Sequence, residues 1–203
     1  MVYNKTQKVK DKMEGRRERI VKAAREIFTE DSFQNMSIKA IAKKAGIATG
    51  TFYLYFTNKE ALVETVVKEM YKELMGLIKT ERSNYESVFD KLQASMEVCI
   101  KVFIREKGIA RLLLKHFPEI NMAFNNKFTE IEKDLINLVR IDLDELQEQG
   151  LIPLQNTSIS ATAFVGTFRQ VILSWLQEGQ PENLEEACQT LIQYNMRGLG
   201  KIS

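Results

Sequence analysis

The residues best placed to do chemistry lie between Ser37 and Phe56, SIKAIAKKAGIATGTFYLYF. Ser37 carries a hydroxyl just before an apolar run, where it can accept an orphan backbone N–H at the start of a helix. Ile38, Ile41, Ala42 and Ala45 then recur at helical spacing, and Ala42 is small where a second helix must cross closely. Gly46 stands four positions after Ala42, at a corner whose backbone needs φ > 0 and would strain any side chain. Ile47 plugs that corner. Phe52 holds a short second helix, about Thr49–Tyr55, against the first. This is the anatomy of a helix-turn-helix. Its second helix is outwardly polar or aromatic and short enough to enter a major groove about 12 Å wide. The chemistry expected is recognition of a duplex.

Other chemistries find little to work with. His116 is the single histidine, with no cysteine, aspartate or second histidine near it in sequence, so neither a catalytic nor a metal role is expected. Cys99 and Cys188 fall on apolar faces of separate predicted helices and read as small core residues. Gly46 and Gly50 share a spacing with phosphate loops, but no Gly-Lys-Ser/Thr follows and no strand precedes. Paired carboxylates and a nucleophile beside a base are likewise not found on matched faces. No enzyme activity, metal or cofactor is expected.

The elements that must position the motif are helices. Only three prolines and ten glycines interrupt 203 residues, and no convincing period-2 segment occurs. The fold expected is all-α. Residues 1–13, with Lys5, Lys8, Lys10 and Lys12, read as a mobile basic arm ahead of a first helix at about 16–30. After the motif, Thr57 or Asn58 caps a long helix to about Thr80; with Thr57 as cap, Glu60 would complete a capping box. Further helices are expected at about 85–105, 109–116, 118–149, 158–177 and 182–199, with stop signals at Gly150–Pro153 and Gly179–Pro181. Charge divides the chain. Residues 1–60 hold 13 Lys and Arg against 7 Asp and Glu, a balance of +6, while the remainder carries 16 against 20, a balance of −4. A basic end on an acidic body suits a protein that meets a polyanion at one end. With no apolar signal-peptide core, and Thr162, Thr167, Arg169, Gln170 and Ser174 interrupting the most apolar run, a cytoplasmic protein without a membrane span is expected.

The stretch GIATGTFYLYFTNKEALV resembles the DNA-binding region of TetR-family regulators, whose pattern is matched by Gly46, Ile47, Gly50, Thr51, Tyr53, Tyr55, Phe56, Lys59 and Glu60. The likeness covers residues 16–65, about a quarter of the chain. It implies an N-terminal three-helix DNA-binding domain over residues 1–57 and a larger helical domain over 58–203 for effector binding and dimerisation. It also implies that Thr49, Gly50, Thr51, Tyr53 and Leu54 face the groove or its walls. Tyr53 and Tyr55 would donate hydroxyls to phosphates, and Lys59 would meet the backbone; aromatic packing is the other reading of both tyrosines. Ser37 and Lys39, at the positive end of the second helix, stand where phosphates approach.

The helix at 158–177 is apolar almost all round, so its own domain can cover only one side. A second subunit is the natural cover for the other. This fits the family's dimer, made by the last two helices of each chain, and a charge at Ile172 should break it unless that residue faces the chain's own core. In the family the middle helices enclose a small, often hydrophobic effector. Met96, Phe103, Phe124, Phe128, Phe164, Phe168 and Trp175 are the residues such a pocket would draw on here, with core packing the alternative for each. Arg169 would meet an anionic ligand group or, equally, an acidic residue of a neighbouring helix. The function implied is a homodimeric repressor that binds inverted-repeat double-stranded DNA and is released by a small hydrophobic or amphipathic effector. A DNA-binding regulator answering to a protein partner is the alternative.

Overall fold

The computed structural model describes residues 7–30, 37–114 and 122–200, and every regular element among them is a helix. In chain order these are α1 (Gln7–Glu30), α2 (Ile38–Lys44), α3 (Thr49–Phe52), α4 (Lys59–Arg82), α5 (Val88–Arg105), α6 (Lys107–Leu114), α7 (Met122–Glu148), α8 (Thr157–Glu178) and α9 (Leu184–Gly198). The chain divides into two compact units, Met1–Met70 and Tyr71–Ser203.

The smaller unit is built on Ile20, Ala24, Ile27 and Phe28 of α1, Ile41 and Ala42 of α2, and Phe52 of α3, all buried. Leu62, Val63, Val66, Val67 and Met70 from the first half of α4 complete that core. For this reason the compact unit runs on to Met70, beyond the helix-turn-helix boundary at 57/58 read from the sequence. Asn58 caps α4, its Oδ1 accepting the Ala61 N–H at 2.8 Å, so the cap is Asn58 and not Thr57. At the other end of the unit, residues 7–13 are helical, where the sequence reading placed a mobile arm. The local chemistry permits this: apart from Gly15, the residues from Gln7 to Arg19 have ordinary or good helix propensity.

In the larger unit, α8 packs against α7 and α6, while α5 packs chiefly against α9 and α7. Arg82 at the end of α4 makes two hydrogen bonds to the buried Asp142 of α7, at 2.7 and 2.5 Å, and a third to Ser95 Oγ of α5 at 3.1 Å. Burial pushes the Asp142 carboxyl above its ordinary range, and the Arg82 guanidinium pulls it back. α5 begins at Val88 under a Ser87 cap, three residues later than expected. α7 starts at Met122, leaving His116 and Pro118 outside the described residues. Asn156 and Asn183 cap α8 and α9, and α8 stops at Gly179 with φ +73°. Cys99 and Cys188 are free thiols. Burial raises them to about 12 and about 11, which suits packing and suppresses thiolate chemistry.

Candidate functional site

The helix-turn-helix forms through its own backbone. Ser37 Oγ accepts the Ala40 N–H at 3.1 Å and opens α2. α2 closes when the Ile47 N–H reaches back to the Ala42 carbonyl at 3.0 Å and the Gly46 N–H to Lys43 at 3.2 Å. That is a Schellman stop, and Gly46 takes the left-handed conformation it requires, φ +66°. α3 follows at once. Its anchor, Phe52, is fully buried and touches Tyr53 edge-on at 5.5 Å and Phe56 at 5.7 Å between ring centroids. The Arg17 guanidinium of α1 stacks 5.8 Å from the Phe56 ring, which ties the end of this segment to α1.

With Phe52 held inward, the next residues are turned outward. Tyr53 is 55% exposed and Leu54 73%, a large surface presentation for an aromatic and a leucine beside a close-packed core. Thr49 and Gly50 are exposed too, and Thr51 and Tyr55 are half-buried. A Cβ added at Gly50 would meet no atom within 4 Å, so packing inside the chain does not demand a glycine there. Ser37 and Lys39 are exposed at the start of α2, and Lys59 is half-buried in the first turn of α4. The unit therefore gathers hydroxyls, a bare backbone and cations on a short protruding helix and the starts of two others. A donor-rich surface with free backbone approach is what groove walls and phosphates require.

The residues singled out as an effector site are brought together only in part. Phe164 and Phe168 of α8 are buried, with ring centroids 5.9 Å apart. Trp175 lies on the same buried face, and Lys107 of α6 sits 4.2 Å above its ring, a cation–π contact the sequence did not suggest. Arg169 Nε lies 3.5 Å from Glu132 Oε1 of α7, so its carboxylate partner is within the protein. Met96 is buried and Phe103 half-buried on α5, which packs chiefly elsewhere. The side chains of Phe124 and Phe128 lie outside the described residues.

Toward its other side, α8 shares with α9 an open groove of about 620 Å³, lined by Ser160, Ala163, Phe164, Thr167, Tyr194 and Leu199 among others. Beside it Ile159 is 67% and Tyr194 63% exposed. Ile172 is not on this surface; it is 3% exposed and faces the interior of its own chain. The reason is helical phase, since Phe164, Phe168, Ile172 and Trp175 form one stripe at spacings of four and three. α8 has the length and apolarity of a membrane span by composition alone. Packing on one face and an open apolar groove on another account for that composition.

Fold and site together define a helix-turn-helix protein: a small unit that carries this motif, followed by a larger helical unit. Residues 20–66 match the model for bacterial regulatory proteins, tetR family. The fatty acid metabolism regulator protein of Bacillus subtilis (strain 168) is 23% identical over 181 residues, 89% of this chain and 93% of that protein. Among solved structures, the fatty acid degradation regulator FadR from Bacillus halodurans has a TM-score of 0.78 at 24% identity, covering 92% of this chain and 97% of its own. FadR from Bacillus subtilis, solved in complex with stearoyl-CoA, has a TM-score of 0.77 at 23% identity, covering 89% and 97%. Over residues 20–66 the chain carries the DNA-binding region of the tetR family of bacterial regulatory proteins, and over most of its length it is similar to regulators of that kind.

Proposed function

We propose that the protein is a homodimeric repressor that holds an inverted-repeat operator through α2 and α3 and releases it when an acyl-CoA binds the larger unit. The DNA half of this reading is carried by one observation, a four-residue helix anchored by a buried Phe52 that turns Tyr53 and Leu54 out to solvent. The dimer half is supported by the apolar groove between α8 and α9, with Ile159 and Tyr194 beside it. For the effector, the similar FadR bound to stearoyl-CoA supplies the ligand class, and the buried Phe164–Phe168–Trp175 stripe supplies apolar side chains that an acyl chain would have to part to enter. Arg169 is engaged by Glu132, so an anionic group would have to displace that pair. Lys107 over Trp175 is a second cation at the other end of the stripe. The cytoplasm is the compartment that holds both DNA and acyl-CoA.

Release requires only that the ligand prefer the non-binding arrangement, typically by about 1–3 kcal/mol. Trp175 is the single tryptophan, so its fluorescence reports on this place. Titration with stearoyl-CoA, and with free CoA as control, should change that signal and lower operator affinity over one concentration range. If no acyl-CoA of any chain length moves either signal, the effector assignment fails and control by a protein partner takes its place.

A further inference from the structure

From Val9 to Arg19 no side chain of α1 is buried; the first is Ile20. These eleven residues span roughly 16 Å of helix at 1.5 Å each. Such an overhang gains little from its own core, and isolated helices of this length are marginal in water. Its cations are sorted by side. Arg17 and Arg25 face one way and both reach Glu69 of α4, at 3.2 and 3.8 Å. Lys12, Arg16, Arg19 and Lys22 fall within an arc of about 120° on another side, at 3.6 residues per turn. Among the described residues, none of these four has a carboxylate partner. Lys12, Arg19 and Lys22 are exposed and Arg16 is half-buried. Asp11 and Glu18 lie at the edge of the arc. Gly15 lies inside it, where an added Cβ would meet nothing within 4 Å. A mid-helix glycine weakens a helix, and packing in this chain does not ask for one, but it lets a rod-like polyanion approach the backbone.

We propose that this overhanging face of α1 lies along the phosphate backbone of the DNA flanking the half-site met by α3. The inference rests on the reading of the smaller unit as DNA-binding. Continuity favours DNA over other polyanions: Arg17, between the stripe residues Arg16 and Arg19, stacks on Phe56, which closes the α3 segment. The length of the overhang matches about 5 base pairs at 3.4 Å each.

The test uses an inverted-repeat duplex selected by the full-length protein from a random pool, either with long flanks or trimmed by about 5 base pairs on each side. On the long duplex, the variant with Lys12→Gln, Arg16→Gln and Arg19→Gln should bind about tenfold or more weakly. Its log–log salt dependence should be shallower by about 0.9 for each phosphate no longer neutralised, with base preference unchanged. Trimming should weaken the parent protein to the same level and leave the variant unaffected. Gly15→Gln should raise thermal stability while weakening binding to the long duplex, an opposition that a purely structural role for α1 would not produce. A triple variant equal to the parent in affinity and salt slope overturns the inference while the DNA-binding reading stands. A parent protein that selects no sequence defeats the reading itself, and the inference with it.

Discussion

The two units expose apolar side chains for different reasons. In the smaller unit, α3 is four residues long, buries one side chain and pushes Tyr53 and Leu54 into solvent. In the larger unit, α8 runs for 22 residues, buries a full stripe and still leaves Ile159 and the groove wall uncovered. The first is a protrusion on a rigid corner, where exposure is local and the core beneath is complete. The second is a broad face, where apolar area recurs over several turns. A protrusion suits insertion into a groove, and a broad face suits a second helix pair. The contrast teaches that an exposed leucine says little until the extent of the surface around it is known.

Substitutions in both units would break or sharpen this contrast. The largest effect is expected from Arg82→Met, which strands the buried Asp142 carboxylate inside the larger unit. Removing one partner of a buried pair costs about 3–5 kcal/mol, and chemical denaturation should show it. Replacing both partners, as in Arg82→Met with Asp142→Leu, should recover much of that loss.

Next comes a pair on a single helix. Ile172→Ala should destabilise the chain by about 2–5 kcal/mol through a cavity. Ile159→Asp should leave the chain's own fold within about 0.5 kcal/mol yet split the dimer and weaken operator binding. Sedimentation at micromolar concentration decides the matter. A stable parent monomer that still bound a palindrome tightly would remove the seam from α8.

Tyr53→Ala should cost about 1–3 kcal/mol of specific DNA affinity, the scale of one good base contact. Its melting temperature should barely move, because the side chain is more than half exposed. Equal affinity in parent and variant would show that α3 is not the reading element. The smallest effect is that of Asn58→Ala, about 1 kcal/mol of stability from the missing cap of α4. Thr57→Ala should do almost nothing, since Asn58 is the cap.

Most of the helix-turn-helix was legible in the residues, because its determinants act over a few positions. Ser37, Ala42, Gly46 and Phe52 each satisfy a local requirement of cap, crossing, corner or anchor, and all four stand where the spacing placed them. Helix existence and number were equally accessible from the 3.6-residue period. The ends were less so: adjacent polar residues can compete for one cap, as Thr57 and Asn58 do at the start of α4. The helical state of residues 7–13 was missed because lysine-rich sequence reads the same in an arm and in an exposed helix.

The sequence by itself determined the fold class, the helix-turn-helix corner and the family resemblance of residues 20–66, since local backbone rules and short spacings suffice for them. Only the tertiary structure decided which neighbours each side chain meets. It turned Ile172 inward, gave Arg169 to Glu132, set Lys107 over Trp175 and placed Asn195 in the core, where its Nδ2 donates to Thr167 Oγ1 and the Leu191 carbonyl, both at 2.9 Å. The physical reason is that helical period specifies a stripe but not its partner. Which stripe faces which helix depends on how several helices pack at once, and that is a property of the assembled core.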